Sequence, residues 1–426
     1  MKKLLALTLC LVLLLSLIPS QAQSAKPFEG TELRVLLSNH VWTTQIYKHL
    51  EEFTQLTGIK VVVEEYAEDQ LSQKLAIELA AQSKDLDVFM TRPLQEVKQM
   101  ITNGWLYDVT PLLDDPEMDK ADFFEATLKL YENNGKYFGV PLVTEREILY
   151  YRKDLLEAAG VKVPTTLEEL RVAAEALTDV DAGVYGFVAR GLTAAAVTQF
   201  SGYLYTMGGD WMDAEGNATV DTPEAIKAFT FYGDLLRDFG PPGVTSMHWQ
   251  QCAALFASGK VAMYTDADAI FNGVVNAADS VVADKTGYAL FPGDSFYNIP
   301  SWGICIGAFT QKADAAMEFV KWAAGKEMTA TIQGSGVPGA RVSVYKMPEA
   351  NALFPQQLVE VIADASTKNT KGYDRPVITS VAKARDYIGQ AIVAAIEGGD
   401  VEAAAKQANI GFQSVIDEDR AAAQKK

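Results

Sequence analysis

The sequence predicts an α/β chain folded as two lobes. Three observations carry that expectation: an opening strand–helix–strand–helix–strand alternation, a length of 426 residues, and no Pro/Gly/Ser-rich linker between the halves. The length exceeds the roughly 100–200 residues typical of one core. Two lobes without a linker imply a chain that crosses between them more than once through short hinges.

The opening alternation reads element by element. Leu33–Leu37 (LRVLL) is an apolar run broken only by Arg34, as in a strand covered on both faces. Ile46, Leu50, Phe53 and Leu56 recur at helical spacing until Gly58 stops them. Val61–Tyr66 is a second strand. Leu71, Leu75 and Leu79 mark a helix after Asp69, and Asp87–Thr91 (DVFMT) a third strand. This order predicts a mostly parallel, doubly wound sheet. Further helices are read at 154–159, 167–177, 223–239, 249–258, 313–324 and 386–397. Short strands are read at 139–143, 184–189, 261–265 and 303–309.

The ends and the charge bound the function. Lys2 and Lys3, the apolar run Leu4–Ile18, and Pro19, Ser20 and Ala22 form the pattern of a secretory leader over residues 1–25. Cys10 sits behind a bulky Leu9, unsuited to lipid attachment, so a soluble periplasmic protein is expected. With the leader's two lysines gone, the formal charge of −18 becomes −20. Such a chain, without a basic patch, is unsuited to nucleic acid and to docking on an anionic membrane. No other segment is long and apolar enough for membrane insertion. Cys252 and Cys305 lie in apolar runs and are expected as buried free thiols, with a bridge as the alternative.

Four stretches occur in a telling order: GKYFGVP at 135–141 with ILYYRKDLLEAAGVKVPTTLEEL at 148–170, FASGKVAMY at 256–264, SWGICIGAF at 301–309 and GVPGARVSVY at 336–345. Together they resemble the extracellular solute-binding proteins, family 1, of the sugar-importing ABC systems. SNHVW at 38–42 and the stretch from EDQLSQKL to DVFMTRPLQE at 68–96 look most like the sorbitol/mannitol-binding branch. The resemblance implies a two-lobed periplasmic-binding-protein fold (type II), each lobe a mostly parallel sheet flanked by helices, with hinge crossovers. By analogy lobe one spans 26–143 plus 268–332, and lobe two 144–267 plus 333–426. It also implies a monomer that holds a sugar or polyol and hands it to ABC permease transmembrane subunits.

Residue chemistry points the same way. A polyhydroxylated ligand needs aromatic faces for its C–H patches and charged or amide groups for its hydroxyls. In an α/β sheet that site lies beyond the carboxyl ends of the strands. Asn39, His40 and Trp42 follow the first strand; Trp42 offers a stacking face or closes the core. Arg92 follows the third strand, where a cation opposes the dipole of the next helix. Glu145 and Arg146 stand at the first crossover. Tyr203 lies just before the GGDW loop. Trp249 opens an apolar helix. Asp266 ends VAMYT at the second crossover, Trp302 enters a Gly-rich strand, and Arg341 sits at the last crossover.

Catalytic patterns fail. Gly334, Gly336 and Gly339 spell GxGxxG but follow a helix and are interrupted by Pro338, so no nucleotide cofactor is expected. The three histidines lack metal-ligand spacing, and no GxSxG elbow occurs. The reading is a non-enzymatic binding subunit without cofactor or metal. Its rivals are a polyamine or peptide binder and a secreted glycoside-active enzyme.

Overall fold

The computed structural model describes residue 26 and residues 28–275, 280–293, 301–367 and 373–424; the leader falls outside the described residues. The strands of the two main sheets are β1 (Glu32–Ser38), β2 (Lys60–Tyr66), β3 (Val88–Thr91), β4 (Val140–Thr144), β5 (Glu147–Arg152), β6 (Tyr185–Val188), β7 (Val261–Ala267), β8 (Thr286–Leu290) and β9 (Ser301–Ile306). The helices that shape the site are α1 (Val41–Ile46), α2 (Glu68–Ala80), α3 (Thr193–Thr206), α4 (Trp249–Ala257) and α5 (Val381–Ile396).

One sheet has the order β2-β1-β3-β9-β4 and the other β8-β5-β7-β6. Each has its own core. Leu33, Phe53, Phe89, Ile304 and Phe319 are buried around the first sheet, and Tyr150, Phe187, Phe200, Phe229 and Ile388 around the second. Cys252 belongs to the second core and Cys305 to the first, both buried and free. Among the described residues no helix is long and apolar enough to cross a membrane.

The expectation of mostly parallel sheets needs correction. β1 runs parallel to β2 and β3, but β9 is antiparallel to both β3 and β4. In the second sheet only β6 and β7 are parallel; β5 is antiparallel to β7 and β8. The cause is the threading. Strands such as β1, β3, β4 and β7 end at the gap between lobes, whereas β5 and β9 enter from the other lobe and therefore start there.

The lobe boundaries shift for the same reason. β8 is bonded to β5, and Phe271, Val274 and Phe291 pack in the second core, so the return to lobe one follows Leu290 rather than 267. Ile332, Val337 and Ala340 pack in the first core, and Gly339 bridges to Val143, so the last crossover follows Arg341 rather than 332.

Candidate functional site

The strand ends place the site. β1 delivers His40, β3 delivers Arg92, β4 delivers Glu145, β6 delivers Arg190, β5 begins with Glu147, and Trp302 lies near the start of β9. With Glu68 and Asp69 of α2, Thr198 and Gln199 of α3, His248 and Trp249 at α4, Asp374, Arg375 and Arg385, they line one cavity of about 80 Å³ between the lobes. At roughly 10–15 Å³ for each water-sized body, that is room for one small molecule.

Charge in the cavity is dense and largely paired. Arg92 reaches Glu68 at 3.0 Å, Asp69 at 3.4 Å, Glu96 at 3.1 Å and the Ser72 hydroxyl at 2.8 Å. Its guanidinium lies 5.7 Å from the Trp302 ring centre. Burial alone would raise the Glu68 carboxyl, but Arg92, then His248, Arg190 and His40, hold it down at about 2. The His40 ring stands 5.1 Å from that of Trp302, and its Nε2 lies 3.3 Å from Glu145. His40 Nδ1 accepts the Trp42 N–H, which leaves the Nε2 proton for Glu145. Burial foremost raises the Glu145 carboxyl, although His40 pulls the other way. Burial, then Arg190, depress the His248 imidazole to about 4.

Polar contacts also tie the lobes together across the cavity. Trp249 Nε1 donates to Glu68 at 3.2 Å, and Gln95 Oε1 accepts from Arg375 at 3.0 Å and Arg385 at 2.8 Å. Lys98 reaches the Val377 carbonyl at 2.9 Å.

Of the sequence-predicted ligand residues, His40, Arg92, Glu145, Trp249 and Trp302 line the cavity; the other six do not. Asn39 is exposed beside the cleft and donates its N–H to Tyr66. Trp42 is a core residue, 2 % exposed, because α1 turns its ring under the sheet. Arg146 alternates to the opposite side of the crossover from Glu145. There it pairs with Asp268 at 2.8 Å between the rings of Phe124 and Tyr345. Tyr203 is wholly buried against Tyr232 and Phe291. Asp266 lies behind the wall, accepting from Arg190 at 2.9 and 2.5 Å, Tyr264 at 2.7 Å and Gln199 at 3.3 Å; it positions Arg190. Arg341 lies 4.0 Å over Phe123 and donates to the carbonyls of Ala324 and Met118, fastening the last crossover to lobe one.

Sequence reasoning passed over Glu68, Glu147, Arg190, Gln199, His248, Asp374, Arg375 and Arg385. Two of them had a signal. Arg190 directly follows the strand read at 184–189, and Glu147 stands two residues beyond Glu145 at the same crossover. Among the described residues no group of His, Cys, Asp or Glu is arranged to hold a metal.

Known proteins share this architecture. The chain is 30% identical over 351 residues to a mannitol-binding protein of Pseudomonas aeruginosa, covering 79% of this chain and 78% of that one. It is 25% identical over 367 residues to an erythritol/L-threitol-binding protein of Mycolicibacterium smegmatis, covering 79% and 74%. An ABC-transporter solute-binding protein from Agrobacterium radiobacter, solved with ribitol, superposes with a TM-score of 0.85 at 29% identity over 91% of this chain and 100% of that one. Another, from Agrobacterium vitis with bound D-mannitol, gives 0.83 at 27% over 91% and 99%. Residues 41–330 match the family described as bacterial extracellular solute-binding protein. With its two lobes, its inter-lobe cavity and that match, the chain belongs to the bacterial extracellular solute-binding proteins.

Proposed function

We propose that this protein captures one short, uncharged polyol between its lobes and delivers it to the membrane permease subunits of an ABC importer. The observation that carries this reading is the cavity itself: about 80 Å³, walled by the rings of Trp249 and Trp302 and by hydrogen-bonding side chains. That volume suits a single small molecule rather than an oligosaccharide. The ligands of the relatives, mannitol, erythritol or L-threitol, and ribitol, are open-chain polyols of that scale. Four arginines on the wall, Arg92, Arg190, Arg375 and Arg385, stand against five acids, Glu68, Asp69, Glu145, Glu147 and Asp374, a near balance that favours an uncharged ligand over a polycation.

The residues proposed to meet the ligand are His40, Arg92, Glu145, Trp249 and Trp302, together with Glu147, Arg190 and Gln199. Closure desolvates the hydroxyls among them, and the affinity comes from contacts that only the closed form completes. The protein works as a monomer without turnover, exported through the leader at 1–25; N-terminal sequencing of the mature protein tests that cleavage.

Thermal unfolding of the mature protein against erythritol, ribitol, mannitol, sorbitol, maltose and spermidine tests the ligand class. A polyol at a hundredfold excess over its dissociation constant stabilises the fold by about 2.7 kcal/mol, a shift of several degrees. Stabilisation by spermidine or a peptide alone, or hydrolysis of an added glycoside, would refute the proposal.

A further inference from the structure

Glu147 is the first residue of β5, lines the cavity and is 2 % exposed. Neither of its carboxyl oxygens meets a hydrogen-bond partner among the described residues. The Thr265 hydroxyl acts on it only weakly, from outside ordinary hydrogen-bond geometry, and the Tyr203 hydroxyl stands near. Three other cavity-lining groups share this state: Oε1 of Gln199, Oδ1 of Asp374 and Nε of Arg385. All four residues belong to lobe two.

Lobe one presents the opposite condition. Arg92 spends all three guanidinium nitrogens on Glu68, Asp69, Ser72 and Glu96, and Glu68 accepts from Arg92 and Trp249. An unpartnered buried carboxyl weakens a fold, so its place on a cavity wall marks bonds that a ligand completes. The set comprises four oxygens and one guanidinium N–H. Hydroxyls both donate and accept, and so satisfy it; a carboxylate brings acceptors only. Burial, then the charge of Asp266, raise the Glu147 carboxyl well above its ordinary range although Arg190 opposes them.

We propose that Glu147 is a specificity-determining residue whose carboxyl binds two adjacent hydroxyls of an uncharged polyol and disfavours the sugar acid of the same chain length. Gln199, Asp374 and Arg385 complete this wall. The inference rests on the polyol reading above and names the residues that enforce it.

The test is calorimetric titration of the full mature chain, wild type, Glu147→Leu and Glu147→Gln, with ribitol, D-mannitol and the corresponding aldonates. The wild type is expected to bind an alditol about 100-fold more tightly than its aldonate. Glu147→Leu is expected to lose about 30-fold in alditol affinity, and Glu147→Gln, which keeps a donor and an acceptor in place, less than about 10-fold. The ligand-free melting temperature of Glu147→Leu is expected to equal or exceed that of the wild type, because an unpartnered group is gone. A purely structural residue would not behave so. The proposal is overturned if Glu147→Leu binds the alditol as the wild type does, if its ligand-free melting temperature falls by several degrees, or if the aldonate binds equally well. A Glu147→Leu that fails to fold counts with that fall in melting temperature and likewise overturns the proposal. A wild type that binds no alditol at all refutes the polyol reading itself; one that binds an alditol unaffected by the substitutions refutes only the role of Glu147.

Discussion

A guanidinium just ahead of a helix works against the helix dipole, and Arg92 occupies such a place because Glu68, Asp69 and Glu96 surround it. Its outward face holds the Trp302 ring. Trp302→Leu is therefore expected to weaken polyol binding by about tenfold, the worth of a stacking face and its cation–π partner, by calorimetry. The same cluster sets the acid limit. Glu68, depressed to about 2 in the fold, contributes stability above its unfolded value near 4.5 that is lost as pH falls through 2. His248, depressed to about 4, takes up a proton in the unfolded chain from pH 6.5 downward but not yet in the folded one, so it too destabilises on acidification. In thermal melts these two contributions should thus fall from pH 6.5 to 2, opposed above about pH 4.5 by Glu145 and Glu147, whose raised carboxyls gain stability on acidification. Glu68→Gln should flatten the lower part of that slope while lowering stability at pH 7 by about 2 kcal/mol, as Arg92 loses one carboxylate partner but keeps Glu96 and Asp69. At this scale the sequence was half legible. Strand-end position singled out His40, Arg92 and Glu145, but Arg146 and Arg341 show that charge at a crossover serves equally to lock a hinge, which only partners in space reveal.

Helix α3 carries Thr198 and Gln199 to the cavity, yet its sequence, TAAAVTQFSGYLYT, gave no periodic signal. It is buried on nearly every side, so polar and apolar positions do not segregate. Strands β5 and β8 were likewise unread, since β5 is buried at all six positions and so lacks alternation. The opening strands and helices were legible because each shows a clear period. One element contact is sharply specified. A Cβ on Gly389 of α5 would come within 2.4 Å of the Thr193 backbone at the start of α3. Gly389→Ala should therefore push the two helices apart and cost about 1–3 kcal/mol in a denaturant melt. Arg385 lies one turn earlier on α5 and bonds the Ala194 carbonyl of α3 at 2.5 Å, so the same change should also weaken polyol binding.

Over the whole molecule, function depends on the balance between open and closed lobes. The bond from Trp249 Nε1 to Glu68 and those from Arg375 and Arg385 to Gln95 exist only when the lobes approach. Trp249→Phe keeps an aromatic wall and deletes one such bond. It should reduce affinity by about tenfold, consistent with roughly 1.5–3 kcal/mol for a bond to a charged group, and enlarge the ligand-free radius of gyration by small-angle scattering. An unchanged radius with unchanged affinity would show that the contact does not bias closure.

The insertion of β9 between β3 and β4 has a consequence for biosynthesis. A chain emerging N-terminus first exposes β1, β2 and β3 early, but β4 finds its neighbour only once Ile306 has been made. The first lobe thus stays unfinished until the 144–290 part of the second has been made, and a nascent chain stopped at residue 290 should be fully protease-sensitive across residues 28–143. Late assembly of this kind keeps the polypeptide threadable through a narrow translocation channel for most of its synthesis.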